Sequence, residues 1–491
     1  MVTCITGRSM RRRSVLKLIA IGPAHGLIGG CWTEHGGSAE TSNQPKVFYV
    51  SPTGNDSAPG LTVQNPWKTI SHVNSELTKG TVGPNDSVLF ECGRTFYGKI
   101  RPPTREAARR GYLTIGSYRS REDSRRPTIS SYKLLNNVSG WTPASPGIWR
   151  IDLSDAKAGL THTGYDGAEG GGSNVGFLKI DGVIHGKRVW RLSDLVDQWD
   201  FYCAGSVLHV QSTANPATLS RDIRAACDGD CIRLVNSLRV TGLRLEGSGG
   251  HGIQGSASHV RVDNNEFAEL GGSRLGGTTR YGNGFQAWID SANIVVERNV
   301  FHDIYDVALT AQGGPSSSTG SWKNVVFHNN LVYACNQSVE FWSDGIPGGG
   351  PGFVNCIVEC NTCLYAGYGW SAAVRPDQDT RVHLLTYGWA LPADIQVRRN
   401  TFYDGSGAYR YSSTSAEGMV CSDNLIYQRR GGLLKVGDPQ TIEQWPNWVA
   451  AQGNDLNSTF VTRPGKAEVD VPSALRQVAG QGAGCSPPPL P

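Results

Sequence analysis

The sequence predicts an all-β solenoid, a chain wound into coils of three short strands each. Six segments share one pattern: VRVDNNEF (260–267), IVVERNVF (294–301), VVFHNNLV (325–332), CIVECNTCL (356–364), IQVRRNTF (395–402) and MVCSDNLIY (419–427). Each alternates apolar and polar residues, reaches an Asn, and resumes as an apolar or aromatic strand. The asparagines (Asn265, Asn299, Asn330, Asn361, Asn400 and Asn424) recur at intervals of 34, 31, 31, 39 and 24 residues. An irregular period of that size, built from strands, fits a stacked coil. Composition agrees: 62 glycines, 18% charged residues and 3 methionines suit short strands and tight turns better than long helices. At 491 residues the chain exceeds one ordinary core, whereas an elongated coil extends its core with every turn.

Residues 1–30 read as an export address. Arg11, Arg12 and Arg13 precede Ser14-Val15-Leu16-Lys17, and the apolar run from Leu18 to Gly30, broken by Pro23 and His25, is too short for a membrane span. The first part resembles a twin-arginine signal, and Ile28-Gly29-Gly30-Cys31 resembles a bacterial lipobox. On that resemblance Cys31 is lipidated, and the protein is an exported lipoprotein, periplasmic or on the cell surface and anchored to the membrane. If Cys31 is not lipidated, it is secreted. Removing this segment, with five basic residues and no acid, turns a formal charge of +4 into −1. No concentrated basic run remains, so nucleic acid is not an expected partner. A monomer is expected.

Residues 31–46 read as a flexible tether. Order begins at VFYVSPTGND, and Lys68 to Leu77 places Ile70, Val73 and Leu77 on one helical face between strands. Twelve cysteines fit an oxidising compartment, and Cys227 and Cys231 in CDGDC are spaced to close a small disulfide loop. Cys356, Cys360 and Cys363 lack a matching His or Cys pair, so no metal site is expected; thiols stacked inside a sheet are the better account.

An Asn at each repeat corner makes physical sense, because it tolerates left-handed backbone and its amide can bond the equivalent amide one rung away. With these repeats, the sequence resembles the right-handed parallel β-helix proteins of the pectate-lyase-like superfamily. VFYVSPTGND…NPWKTI resembles their N-terminal capping segment, and residues 176–216 resemble the β-rich insertion of some carbohydrate-active members. The resemblance implies a single-stranded, three-sheet solenoid with an N-terminal cap helix and first coil (47–100), a β-rich insertion (101–230), repeats (231–437) and a C-terminal cap and tail (438–491) that closes the last sheet edge. It implies a polysaccharide partner on one long parallel face. It does not choose the reaction, since hydrolases, lyases, epimerases and adhesins share the fold.

Alternation aligns the rungs of that face as GIQGS (252–256), GFQAW (284–288), DVALT (306–310), SVEFW (338–342), YRYS (409–412) and LKVG (434–437). One outward column then reads Gln254, Gln286, Ala308, Glu340, Arg410 and Lys435; a second reads Ser256, Trp288, Thr310, Trp342 and Ser412. Trp288 and Trp342 would stack on sugar rings while Gln286 and Arg410 bond hydroxyls. In this alignment Asp306 lies one rung away from Glu340 and two residues along, ~8 Å by backbone, within the range for an inverting glycosidase pair. Glu340 is the expected acid and Asp306, or Asp303 in the turn, the base. Asp344, ~13 Å along the strand, is too far. The alternative is a lyase or epimerase on uronic-acid polymers, which needs cations or Ca²⁺ and a base. Arg410, Lys435, Tyr409, His302 and Arg375 are its candidates, with Asp377 and Asp379 as calcium ligands. The third alternative is a non-catalytic carbohydrate-binding or surface-structural protein. Hydrolysis needs no cofactor. Two Gly-rich loops, 275–284 and 343–352, flank the face.

Overall fold

A computed structural model describes residues 44–490 apart from 107–110, 120–122, 155–173, 315–319, 344–349, 378–379, 388–392, 412–417, 430–432, 437, 445–446, 448–454, 464–468 and 480–488. The export signal, Cys31, nearly all of the tether, Asp344 and Asp379 lie outside the described residues.

The chain is a parallel β-helix. The described residues form three long sheets of ten, ten and nine strands; before the insertion the coils add strands to the first two, and from Asp230 onward successive coils add to all three in turn. In one coil Ser258–Asp263 belongs to the first sheet, Glu266–Leu270 to the second and Phe285–Trp288 to the third. Inward side chains of successive rungs stack directly, as in Phe267 on Phe301, 4.4 Å between ring centres. Each such fully buried aromatic contributes roughly 1.5–3 kcal/mol over an exposed one.

All six predicted asparagines sit between the first and second sheets, at most 1% exposed. Each Oδ1 from Asn299 onward accepts both the backbone N–H and the Nδ2–H of the Asn one coil earlier; Asn330 Oδ1 takes them from Asn299 at 3.0 and 3.1 Å. The left-handed residue at this corner is the one before the Asn (Asn264, Arg298, Asn329, Cys360, Arg399 and Asp423 all have positive φ). The Asn itself is selected for its amide.

The helix Ile70–Lys79 is capped by Thr69, whose Oγ1 accepts from His72 N, and by left-handed Gly80. Ile70, Val73 and Leu77 join the coil's core as expected. The irregular region begins later than residue 101. Leu113–Tyr118 and Thr128–Ser130 are strands of the first and second long sheets, so the two separate antiparallel sheets are confined to Tyr132–Cys227. They enclose a core of their own that includes Trp141, Leu178, Phe201 and Leu208. At the far end Asp438–Thr441 folds back antiparallel on Leu433–Val436, and Thr459–Arg463 adds the last strand to the second sheet. The helix Val471–Val478 lies on the outside of that sheet, with Ala474 and Val478 in one apolar cluster with Tyr403 and Tyr427.

The expected Cys227–Cys231 disulfide is not formed; both thiols are free and buried. Cys227 packs in the core of the inserted sheets, whereas Cys231 opens the third sheet and packs in the coil core. The short loop therefore changes layers instead of closing on itself. Cys356 and Cys363 are free thiols in the coil interior, while Cys360 is disulfide-bonded. Among the described residues His328, Glu359 and Cys360 approach metal-ligand spacing. The bonded sulfur is no thiolate, and Glu359 is engaged by Arg398 and Arg399 at 2.5 and 2.7 Å.

Candidate active site

The third sheet fixes the columns of the face that carries Glu340. Its register runs Gln254, Gln286, Thr310, Glu340, Leu385, Arg410 and Lys435 in one outward column. The next runs Trp288, Gln312, Trp342 and Tyr387. Thr310, not Ala308, is therefore the neighbour of Glu340. The sequence alignment was two residues out at that rung, an error alternation cannot detect because a slip of two keeps every side chain on its side. Ala308 belongs to the buried core. The rung Val382–Tyr387, absent from the sequence alignment, follows a long connection and supplies Leu385.

The first column lies deep: Gln286, Thr310, Glu340 and Leu385 are all buried. Gln286 Oε1 accepts from Asn283 Nδ2 and Gln312 Nε2, both at 2.6 Å, which orients the amide. In the second column Trp288 and Trp342 are half-buried, with ring centres 6.4 Å apart at 49°.

Glu340 is only 4% exposed. Thr310 Oγ1 donates to its Oε1 at 3.5 Å. Burial, and then the negative charge of Asp306, hold the Glu340 carboxyl well above the usual carboxylate range. Asp306 sits at the turn between second and third sheets, one coil earlier, where its backbone oxygen accepts from Gln337 N. With the corrected register the offset from Glu340 is four residues and the backbones lie ~14 Å apart on a straight strand, not ~8 Å. The side chains still feel each other's charge. Burial raises Asp306 too, opposed by Arg375, whose Nη1 donates to its Oδ1 at 2.7 Å.

Arg375 comes from the connection 365–381, one coil after Glu340, and reaches back to Asp306, one coil before it. It also bonds Asp377, with Nε at 3.0 Å from Oδ1. Arg375 is thus the ion-pair partner of Asp306 rather than an open ligand cation, and Asp377 is taken up by Arg375 and Thr380.

Other candidates lie elsewhere. His302 is on the outer face of the second sheet, stacked on Tyr333 at 4.9 Å and bonded to Glu266 and Asp303 at 3.2 and 2.8 Å. Burial lowers its proton affinity, but the two carboxylates more than compensate and raise it overall. Asp303 is therefore engaged by His302 on that neighbouring face. Tyr409 is fully buried in the coil core. Arg410 and Lys435 hold their places in the Glu340 column, two and three rungs on. Sequence reasoning missed Thr310 as a partner of Glu340, and it missed Asn283 and Gln312. The GNG of the 275–284 loop and the alternation past Leu309 were their only signals.

No protein-family model matches the chain, and no curated protein matches it in sequence. Solved structures resemble it loosely. One described as XylC with xylose is 11% identical, with 86% of this chain and 85% of that chain covered and a TM-score of 0.45. One described as a glycoside hydrolase is 11% identical, with 77% and 96% covered and a TM-score of 0.39. A lacto-N-biosidase from Eubacterium ramulus is 12% identical at a TM-score of 0.35, with 78% of this chain covered; the alignment spans 64% of that protein's length. These likenesses lend no residue its role.

Proposed function

We propose that this protein is a glycoside hydrolase acting on an extracellular or cell-surface polysaccharide, with Glu340 as general acid and Asp306 as general base. One observation carries the reading: buried Glu340 and half-buried Asp306, both held above the usual carboxylate range, feel each other's charge, and the Arg375 guanidinium is hydrogen-bonded to Asp306. Burial and the anionic neighbour push Glu340 toward its protonated form, the direction a general acid needs. Asp306 accepts from the Arg375 guanidinium, a contact that favours its ionised form, the direction a general base needs. The two belong to different coils and are offset by four residues, ~14 Å by backbone on a straight strand, so the pair can act together only with both side chains turned toward each other. Half-buried Trp288 and Trp342 offer ring faces to sugars. Among the described residues, the cation beside Glu340 is already shared by Asp306 and Asp377, which favours a neutral sugar at the cleavage point over a uronate.

Screening neutral and acidic polysaccharides for new reducing ends tests the reading. Cleavage with anomeric inversion, lost in Glu340→Gln, is expected; unsaturated products absorbing in the ultraviolet would make the enzyme a lyase. Export through the Arg11–Arg13 segment and lipidation at Cys31 belong to the same proposal, and the Cys360 disulfide accords with an oxidising compartment. Cys31→Ser should move the protein from the membrane fraction to the soluble one and abolish labelling by radioactive palmitate.

A further inference from the structure

Arg280, on the hairpin of Ser273–Gly276 with Thr279–Tyr281, joins the inserted sheets to the catalytic turn. Its guanidinium is buried and donates to three backbone carbonyls. Nε reaches Gly272 O at 2.6 Å, Nη1 reaches Gly186 O at 3.0 Å and Nη2 reaches Gly176 O at 2.5 Å. Gly176 and Gly186 belong to the insertion, Gly272 to the start of the hairpin. The same guanidinium lies over the ring of Tyr305, with Cζ 4.8 Å from its centre, and Arg375 lies over that ring at 5.0 Å. Tyr305 immediately precedes Asp306, and its carbonyl faces Arg375 Nη1 at 3.4 Å. The turn is pinned by backbone at both ends of the hairpin, Tyr305 N to Leu270 O at 2.8 Å and Asp306 N to Gly282 O at 3.2 Å.

A second brace runs in parallel. Trp370, on the connection that carries Arg375, donates Nε1–H to Asp303 O at 2.9 Å and packs against Phe177 of the insertion and Tyr305 of the turn, 4.9 and 5.3 Å between ring centres. Glycine at 186 is what lets the insertion come this close, since a Cβ there would stand 2.7 Å from the Trp370 ring.

We infer that Arg280 is a positioning residue for the Asp306–Arg375 pair, and that the insertion is a working part of the active site, setting through Arg280 and Trp370 where Asp306 lies relative to Glu340. The inference rests on the reaction assigned above. Arg280 is buried and acts through Tyr305. Its planar fork satisfies three carbonyls at once, a geometry that lysine cannot reproduce. A displacement of the order of 1 Å at the reacting groups costs about 10²-fold in rate.

The test uses the full chain in four forms: wild type, Arg280→Lys, Arg280→Met and Gly186→Ala. Both Arg280 variants should lose about 10²-fold in kcat with KM nearly unchanged. Lys should fail to rescue although it keeps the charge. Gly186→Ala, altered on the insertion side and in contact with neither carboxyl, should lower kcat in the same direction with a native circular-dichroism spectrum. A titration of ¹³C-labelled Asp306, assigned with Asp306→Asn, needs no substrate. In both Arg280 variants the Asp306 carboxyl should take up its proton at higher pH, as Arg375 loosens, with Asp377, Glu340 and Tyr305 left as its other neighbours. Full kcat in Arg280→Lys, or folded Gly186→Ala and Arg280→Met with wild-type kcat and an unmoved Asp306 titration, would overturn the inference. If Arg280→Met does not fold, Gly186→Ala decides. An active Glu340→Gln enzyme would overturn the reaction instead, while the Asp306 titration would still judge the positioning role.

Discussion

The two corners that flank the second sheet are built on opposite principles. Between the first and second sheets every coil from Asn265 to Asn424 turns in the same way, one left-handed residue followed by a buried Asn, each amide bonding the next. Between the second and third sheets the connections range from two residues to nearly a hundred. One is two residues, Tyr305 and Asp306; one carries the hairpin 273–281; one runs from 365 to 381 and carries Trp370 and Arg375; and in the second coil the connection is the whole insertion, Tyr132–Cys227. The regular corner supplies a rigid rail. The irregular corner uses that rail as a base on which side chains from four different coils converge around Asp306. Uniformity stabilises, and irregularity places chemistry.

The comparison can be broken from either side. The largest effect is expected at Glu340: Glu340→Gln should lower kcat by at least about 10²–10⁴-fold, the range for losing a general acid, while the unfolding midpoint hardly moves. Asp306→Asn should cost a similar factor in kcat and also stability, since Arg375 is left buried with one anionic partner fewer. At the regular corner the pattern inverts. Asn330→Ala strands the backbone N–H of Asn299 and should cost about 1–3 kcal/mol of stability by denaturant unfolding, with kcat unchanged in the folded enzyme. A loss of kcat there without loss of stability would contradict the division of labour.

The pH dependence sharpens it further. Glu340 binds its proton more tightly folded than unfolded. Its contribution to stability is therefore complete below the unfolded value near 4.5 and is lost as pH rises through the raised folded value. Wild type should lose stability relative to Glu340→Gln on the alkaline side, and kcat should fall over the same rise because the acid form is gone. Thermal melts and rate profiles across pH read both. The smallest effect belongs to the tryptophan column, where Trp288→Ala or Trp342→Ala should raise KM roughly 2- to 10-fold with kcat little changed.

The regular corner was readable in sequence because its signal is a side chain repeated in place: Asn265 to Asn424 mark the coils directly. The parity of the third sheet was readable as well, since period-two alternation put Val339 and Phe341 inside and Glu340 and Trp342 outside, where the structure has them. Register was not. Ala308 and Thr310 share a parity, so only the hydrogen-bonded ladder could tell which faces Glu340. The rung at Val382–Tyr387 escaped because the 365–381 connection hides its distance from the preceding Asn. Cys227 and Cys231 misled because spacing carries no information about which of two cores a thiol enters. Arg280 was visible only as a basic residue in a Gly-rich loop, because its partners are carbonyls of a different layer, about 90 to 100 residues earlier in the chain.

The central claim is that Glu340 and Asp306 add water across a glycosidic bond. Mass spectrometry of products formed in ¹⁸O-labelled water, by wild type and by Glu340→Gln, tests it most directly. Wild type should place one ¹⁸O at each new reducing end and the variant should form almost no product. Unlabelled, unsaturated ends from wild type, or labelled products from Glu340→Gln at the wild-type rate, would contradict it.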